Sequence, residues 1–113
     1  VKTLSSPLGR AATVVCASAV LVLALMPAPP DALSTGWDKA NHLLAFAVLG
    51  MLARWGWHSH WRWPALLAFG AAIELLQAQA PPREASWADL GADALGLALA
   101  AGLLLVIRRW RLA

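Results

Sequence analysis

Three short polar patterns interrupt an otherwise apolar chain. Asp38-Lys39-x-x-His42 sets a carboxylate and an imidazole four residues apart, which puts both on one face of a helix. Glu74-Leu75-Leu76-Gln77 sets a carboxylate and an amide three apart, and Asp89-x-x-x-Asp93-x-x-Gly96 repeats at i, i+4 and i+7. A histidine beside carboxylates can take up or release a proton near neutral pH. His42, Glu74 and Asp93 are therefore the candidate catalytic residues. Asp38, Lys39, Gln77, Arg83, Ser86 and Asp89 are candidates to support them or to bind substrate. Arg83 suits an anionic group, because a guanidinium fork matches phosphate and carboxylate geometry.

Several of these residues also have a purely structural account. Asp38 suits a helix N-terminus, and Lys39 can pair with Asp38 or Asp89. Glu74 can be a buried partner of Lys39 or Arg83. Its neighbours Ala71, Ala72, Ile73, Leu75 and Leu76 nevertheless give a carboxylate no surface role in lipid. Gln77 reads as a hydrogen-bonding support, and Arg83 can equally neutralise Asp89 or Glu84. No strained elbow motif surrounds Ser86, which disfavours a Ser-His-Asp triad. The His58-x-His60 spacing lacks a third ligand on its side of the chain and reads as an interfacial loop rich in Trp and Arg. Cys16 is the only cysteine, which excludes an internal disulfide and a Cys-x-x-Cys metal site, so it is expected to be a small packing residue. No metal ligand set is assigned from sequence, and the cofactor is left open.

The elements that must position these groups are helices. At 113 residues, 60% hydrophobic and 13% charged, the chain is too apolar for a soluble domain and too short for two. Four apolar runs stand out: Ala11 to Met26, Ala40 to Leu52, Trp63 to Leu76, and Leu90 to Ile107. The expected fold is all-α, a single domain over 1–113 that forms a four-helix transmembrane bundle, with helices at about 9–27, 38–56, 63–80 and 88–107. Each run is short for a crossing that needs roughly 20 residues, so flanking Trp, Pro and charged residues must complete it. Pro27, Pro29 and Pro30 are expected to end the first helix, Trp57 to Pro64 to form a turn, and Pro81 and Pro82 to stop the third. Alternatively, the first run is a cleaved signal peptide. Glycines and alanines make the fourth helix thin, which predicts that it is the hub of the packing.

Charge sorts along these elements. Lys2, Arg10, Arg54, Arg62, Arg108, Arg109 and Arg111 fall on one side of a four-pass arrangement, which the positive-inside rule makes cytoplasmic, with both termini there. All six acidic residues, Asp31, Asp38, Glu74, Glu84, Asp89 and Asp93, fall on the other, joined by Lys39 and Arg83. Trp55, Trp57, Trp61, Trp63 and Trp110 would sit at the inner interface and Trp37 and Trp87 at the outer. The bilayer is thus the expected partner. The basic residues do not line a patch with base-stacking aromatics, so nucleic acid is not expected.

At 1.5 Å per residue, His42 and Asp93 lie about 6 Å inside their helix starts and Glu74 about 9 Å inside its helix end. The four carboxylates Asp38, Glu74, Asp89 and Asp93 face two cations, Lys39 and Arg83, leaving a formal charge of −2 before His42 is counted. Such a cluster should hold a proton or recruit a cation.

Asp38-Lys39-x-x-His42-x-x-x-Phe46, Glu74-Leu75-Leu76-Gln77 and Arg83-x-x-Ser86-x-x-Asp89-x-x-x-Asp93-x-x-Gly96 together resemble the VanZ-like family of bacterial membrane proteins. The resemblance covers about Trp37 to Gly96, with three fragments in order on three helices. It implies a small polytopic protein of the bacterial cytoplasmic membrane, in a family named for a member associated with reduced susceptibility to the glycopeptide teicoplanin. It implies no established reaction. One position departs from the pattern: the family usually has Asn where this chain has Asp93. Ionised, Asp93 adds charge to the cluster; protonated, it donates and accepts much as Asn does.

The resulting expectation is a VanZ-like envelope protein whose outward-facing polar site meets a cell-wall precursor or a glycopeptide. Two alternatives stand beside it. One is a membrane-embedded acid/base or metal-assisted enzyme acting on a lipid-linked envelope precursor, where a divalent ion offsets the negative charge. The other is a structural clasp or proton-relay subunit of a membrane assembly.

Overall fold

The computed structural model describes residues 6–26, 36, 38–79 and 87–112. Four α-helices account for nearly all of them, with no strand among the described residues: α1 (Pro7–Leu25), α2 (Asp38–Gly56), α3 (Arg62–Gln77) and α4 (Trp87–Leu112). The expected proline stops, and Lys2, Asp31, Trp37, Arg83, Glu84 and Ser86, lie outside the described residues.

Local chemistry explains the helix ends. Ser6 caps α1, its hydroxyl accepting from the Gly9 amide at 3.1 Å, and Pro7 follows at a position where its missing N–H costs nothing. Met26 leaves the helix in an extended conformation (φ −68°, ψ 135°), as the residue before a proline prefers. Gly36, at φ 85°, turns the chain two residues before α2 begins. α3 ends at Gln77, three residues earlier than expected, through a tight turn in which the Gln79 amide donates to the Leu76 carbonyl. α4 runs five residues beyond the expected 107, through Arg108, Arg109 and Arg111. Nothing there breaks a helix, and cations suit a helix C-terminus.

Contacts between named residues fix how the helices run. Gly96 of α4 packs on the Leu43 carbonyl and the Ala47 amide of α2, while Gly50 of α2 faces Ala100 of α4. These two helices therefore lie side by side and point the same way. α3 runs against them, with Trp63 beside Gly50 at one end and Gly70 beside Phe46 and Asp93 further along. α1 is antiparallel to α2. Its first turn meets the last turn of α2, where the Ser6 amide donates to the Trp55 carbonyl at 3.3 Å and Arg10 Nε to the Gly56 carbonyl at 3.0 Å. Gly9 and Gly56 make that crossing possible: a Cβ on Gly9 would sit 2.7 Å from Trp55 backbone, and one on Gly56 2.9 Å from the Arg10 amide nitrogen.

The hub is α2, not α4. α2 touches all three other helices and packs most extensively on α4, whereas α4 makes no contact with α1 among the described residues. Small residues on α4 allow close approach on one face only. Gly96 and Ala100 are buried there, while Gly91 and Gly102 face open space. The core lies along α2: Phe46, Leu49 and Ala53 meet Leu66 and Ile73 of α3 and Leu97 of α4, with the Phe46 and Phe69 rings 6.1 Å apart.

Two helices, Pro7–Leu25 and Trp87–Arg111, are long and apolar enough to cross a membrane.

Candidate functional site

Helix direction gathers the polar patterns at one end. The starts of α2 and α4 and the end of α3 lie together there, so residues 38–42, 74–77 and 89–93 become neighbours. On α4 the buried positions Asp89, Asp93, Gly96, Leu97 and Ala100 recur at helical period, which turns both carboxylates toward α2.

His42 stands at the centre. It is only 7% exposed. Its Nδ1 lies 2.8 Å from Asp93 Oδ1, and its Nε2 lies 3.6 Å from Asp38 Oδ2 and 3.8 Å from Asp89 Oδ2. The first distance is a hydrogen bond; the other two are too long for one. With Asp93 ionised, the bond requires Nδ1 to carry the proton, since a carboxylate only accepts. Nε2 is thereby left facing the two outer carboxylates. Lys39 Nζ lies 3.5 Å from Asp89 Oδ1, so of its two expected partners it reaches Asp89.

The inner half of the cluster is drier. Asp93 is fully buried and Glu74 and Gln77 nearly so. One nitrogen of His42 and one oxygen each of Glu74 and Asp93 lie within 4.8 Å of one another. Asp93 Oδ2 has no hydrogen-bond partner among the described residues and lies against Gly70, where a Cβ would come within 2.7 Å of it. Because α3 ends at Gln77, Glu74 lies one turn from the helix end, about 4.5 Å.

Gln77 does something else. Its Nε2 donates to the Ala24 carbonyl at 2.8 Å, tying α3 to the last turn of α1, where helix carbonyls lack partners of their own. Arg83 and Ser86 lie outside the described residues. Away from the cluster, His58 and His60 are exposed in the α2–α3 turn, which Arg62 closes by donating to the carbonyls of His58 and Ser59 at 3.0 Å. Cys16 is partly buried against the core.

Gly70 was not singled out by sequence reasoning, although it shapes the site. It lies four residues before Glu74, hence on the same face of α3, and that spacing was the available signal.

Chemically, the arrangement is an imidazole held by one buried carboxylate and presented to two others. It can store a proton, pass one between Nδ1 and Nε2 sides, or bind a cation. No protein-family profile, curated protein or solved structure matches this chain.

Proposed function

We propose that this is a four-pass, VanZ-like protein of the bacterial cytoplasmic membrane, with both ends cytoplasmic and the His42 cluster opening outward. In this reading the cluster acts on a cell-envelope molecule and lowers susceptibility to teicoplanin-type glycopeptides. The observation that carries the reading is an inverted partition of polarity. Val15, Val22, Leu75, Leu95 and Leu105 are each more than half exposed, while His42, Glu74, Gln77, Asp89 and Asp93 are buried. Water would favour the opposite arrangement, whereas lipid favours this one, because polar groups in a bilayer must face protein and find partners there.

Three further observations support it. Arg10, Arg54 and Arg62 lie at the end opposite the carboxylates, as the positive-inside rule requires of a cytoplasmic face. Trp61, Trp87 and Trp110 are exposed near helix ends, where indoles favour the lipid–water boundary. α1 is bonded to α2 and α3 through Arg10, Ser6 and Ala24, which fits a retained helix better than a removable leader. α3, at 16 residues, spans only about 24 Å, and local thinning with snorkelling flanks would complete its crossing.

Single cysteines at Gly36 and Ser59, in a Cys16→Ala background, test the topology. Gly36 should react with an impermeant maleimide added outside intact cells and Ser59 only after permeabilisation; labelling of both from one side excludes four passes. For the activity, His42→Ala and Glu74→Gln proteins, inserted at parental levels, should lose glycopeptide protection. Parental protection by both would remove the site assignment.

A second reading is favoured by the contact of one imidazole with three carboxylates at 2.8 to 3.8 Å. It makes the cluster an acid/base centre acting on a lipid-linked precursor, with Arg83 gripping phosphate. Absence of turnover of lipid-linked pyrophosphates by purified protein would count against it.

A further inference from the structure

We propose that Asp38, His42 and Asp89 form a divalent-metal site of the Zn²⁺ or Mn²⁺ class, positioned by Asp93. His42 Nε2 is the central donor. It belongs to a side chain more than nine-tenths buried, has no hydrogen bond among the described residues, and points between Asp38 Oδ2 at 3.6 Å and Asp89 Oδ2 at 3.8 Å. Ligand atoms bound at 2.0 to 2.2 Å around a tetrahedral ion stand roughly 3.3 to 3.6 Å apart, so the two nitrogen–oxygen edges need to close by only a few tenths of an ångström. One nitrogen and two oxygens match the borderline-hard ligand preference of these ions.

The surroundings supply what a metal site needs beyond its ligands. Metal-bound histidines characteristically donate their other ring N–H to a carboxylate, which fixes the tautomer and raises basicity. Asp93 Oδ1, 2.8 Å from Nδ1 and fully buried, occupies that place. Asp38 and Asp89 lie in the first turns of α2 and α4, at the positive ends of two helix dipoles. Lys39 Nζ pairs with the other oxygen of Asp89, Oδ1, at 3.5 Å, and so offsets part of the negative charge beside the ligands. Asp38 is half exposed, so the site opens outward, and three protein ligands leave a position for water or an anionic oxygen. The inference rests on the proposed function for the substrate alone, where an open metal position suits phosphate oxygens.

The test is Zn²⁺ binding by the full chain in detergent, read by calorimetry and by metal content after dialysis, with circular dichroism and elution volume confirming that each variant is folded. The parent should bind one equivalent. His42→Ala should bind none, and Asp38→Asn and Asp89→Asn should each weaken binding at least tenfold. Asp38→Asn is the decisive variant, since a half-exposed side chain can change without disturbing the fold. For Asp93→Asn, affinity should fall about tenfold. The ligand-field bands of bound Co²⁺ should shift as well, a signature that a packing role would not give. Failure of the parent to bind overturns the site. So does binding that survives Asp38→Asn and Asp89→Asn but is lost in Glu74→Gln, which would place the ion on the inner side of His42. Metal bound normally by a protein that confers no glycopeptide protection would instead overturn the functional reading and leave the metal site standing.

Discussion

His42 and Asp93 meet across the α2–α4 interface at 2.8 Å, in a contact buried from solvent. The pair should be strongly coupled. Removing one member of a buried hydrogen-bonded pair strands the polar atom of the other, at a cost of about 1–3 kcal/mol, and more for a charged group. His42→Ala should therefore unfold far more easily in detergent. Asp93→Asn, which keeps an oxygen to accept from Nδ1, should lose no more than about 1.5 kcal/mol. The double variant should recover at least about 1 kcal/mol relative to the sum of the single changes. Strict additivity in thermal unfolding would show that the contact carries no coupling.

Glycines on α4 should divide sharply by face. A Cβ on Gly96 collides with the Leu43 carbonyl, which is backbone and cannot rotate away, so Gly96→Ala must push α2 and α4 apart and cost about 1–3 kcal/mol or more. Gly91→Ala and Gly102→Ala meet nothing within 4 Å and should be neutral or stabilising by up to about 1 kcal/mol, from helix propensity alone. Unfolding temperatures of the three variants decide the matter. Equal effects would mean that the interface is not where these contacts put it.

Gly70→Ala should act through the site. Its Cβ would fall 2.7 Å from Asp93 Oδ2 and 3.3 Å from the Phe46 ring. The carboxylate must swing, which disturbs its bond to His42 and costs about 1–3 kcal/mol. Pairing the change with Asp93→Ser, which shortens the obstructing side chain, should return part of that loss. A double variant as unstable as the sum of its parts would remove Asp93 as the cause.

Gln77→Leu tests the tie between α3 and α1. It removes the donor to Ala24 O, but it also removes an Oε1 that has no hydrogen-bond partner among the described residues, so the global loss should be small, about 1 kcal/mol or less. The local effect should be larger. Amide exchange in the last turn of α1 should accelerate while that of α2 stays unchanged. Uniform acceleration, or none, would contradict a local tie.

Periodicity made several of these relationships readable in advance. Asp38 and His42 at i, i+4, and Asp89, Asp93 and Gly96 at i, i+4, i+7, each define one helix face, and those faces carry the close contacts. Other features have no such signature. Gln77 bonds to a main-chain carbonyl of α1, which any residue at position 24 would offer. The thinness of α4 reveals how near a neighbour can come but not how many neighbours there are, and so α2 rather than α4 proved to be the hub. Gly70 matters only because Asp93 arrives from another helix. Arg83 and Ser86 fall in a connection that helical period cannot place.

The backbone crossing of Gly9 and Gly56 also has a mechanical meaning. It pins α1 to α2 at one extremity, and from that pivot α1 runs about 24 Å along the core, from Gly9 to Leu25. Rotation of roughly 5° about that pivot sweeps the far tip through about 2 Å, more than a hydrogen bond can stretch and survive. The Gln77–Ala24 bond sits near that tip, where the arm is longest and a restraint has the greatest mechanical advantage. That amide thus adds a restraint at the tip to the packing of Cys16, Ala17, Val20 and Leu21 against the core.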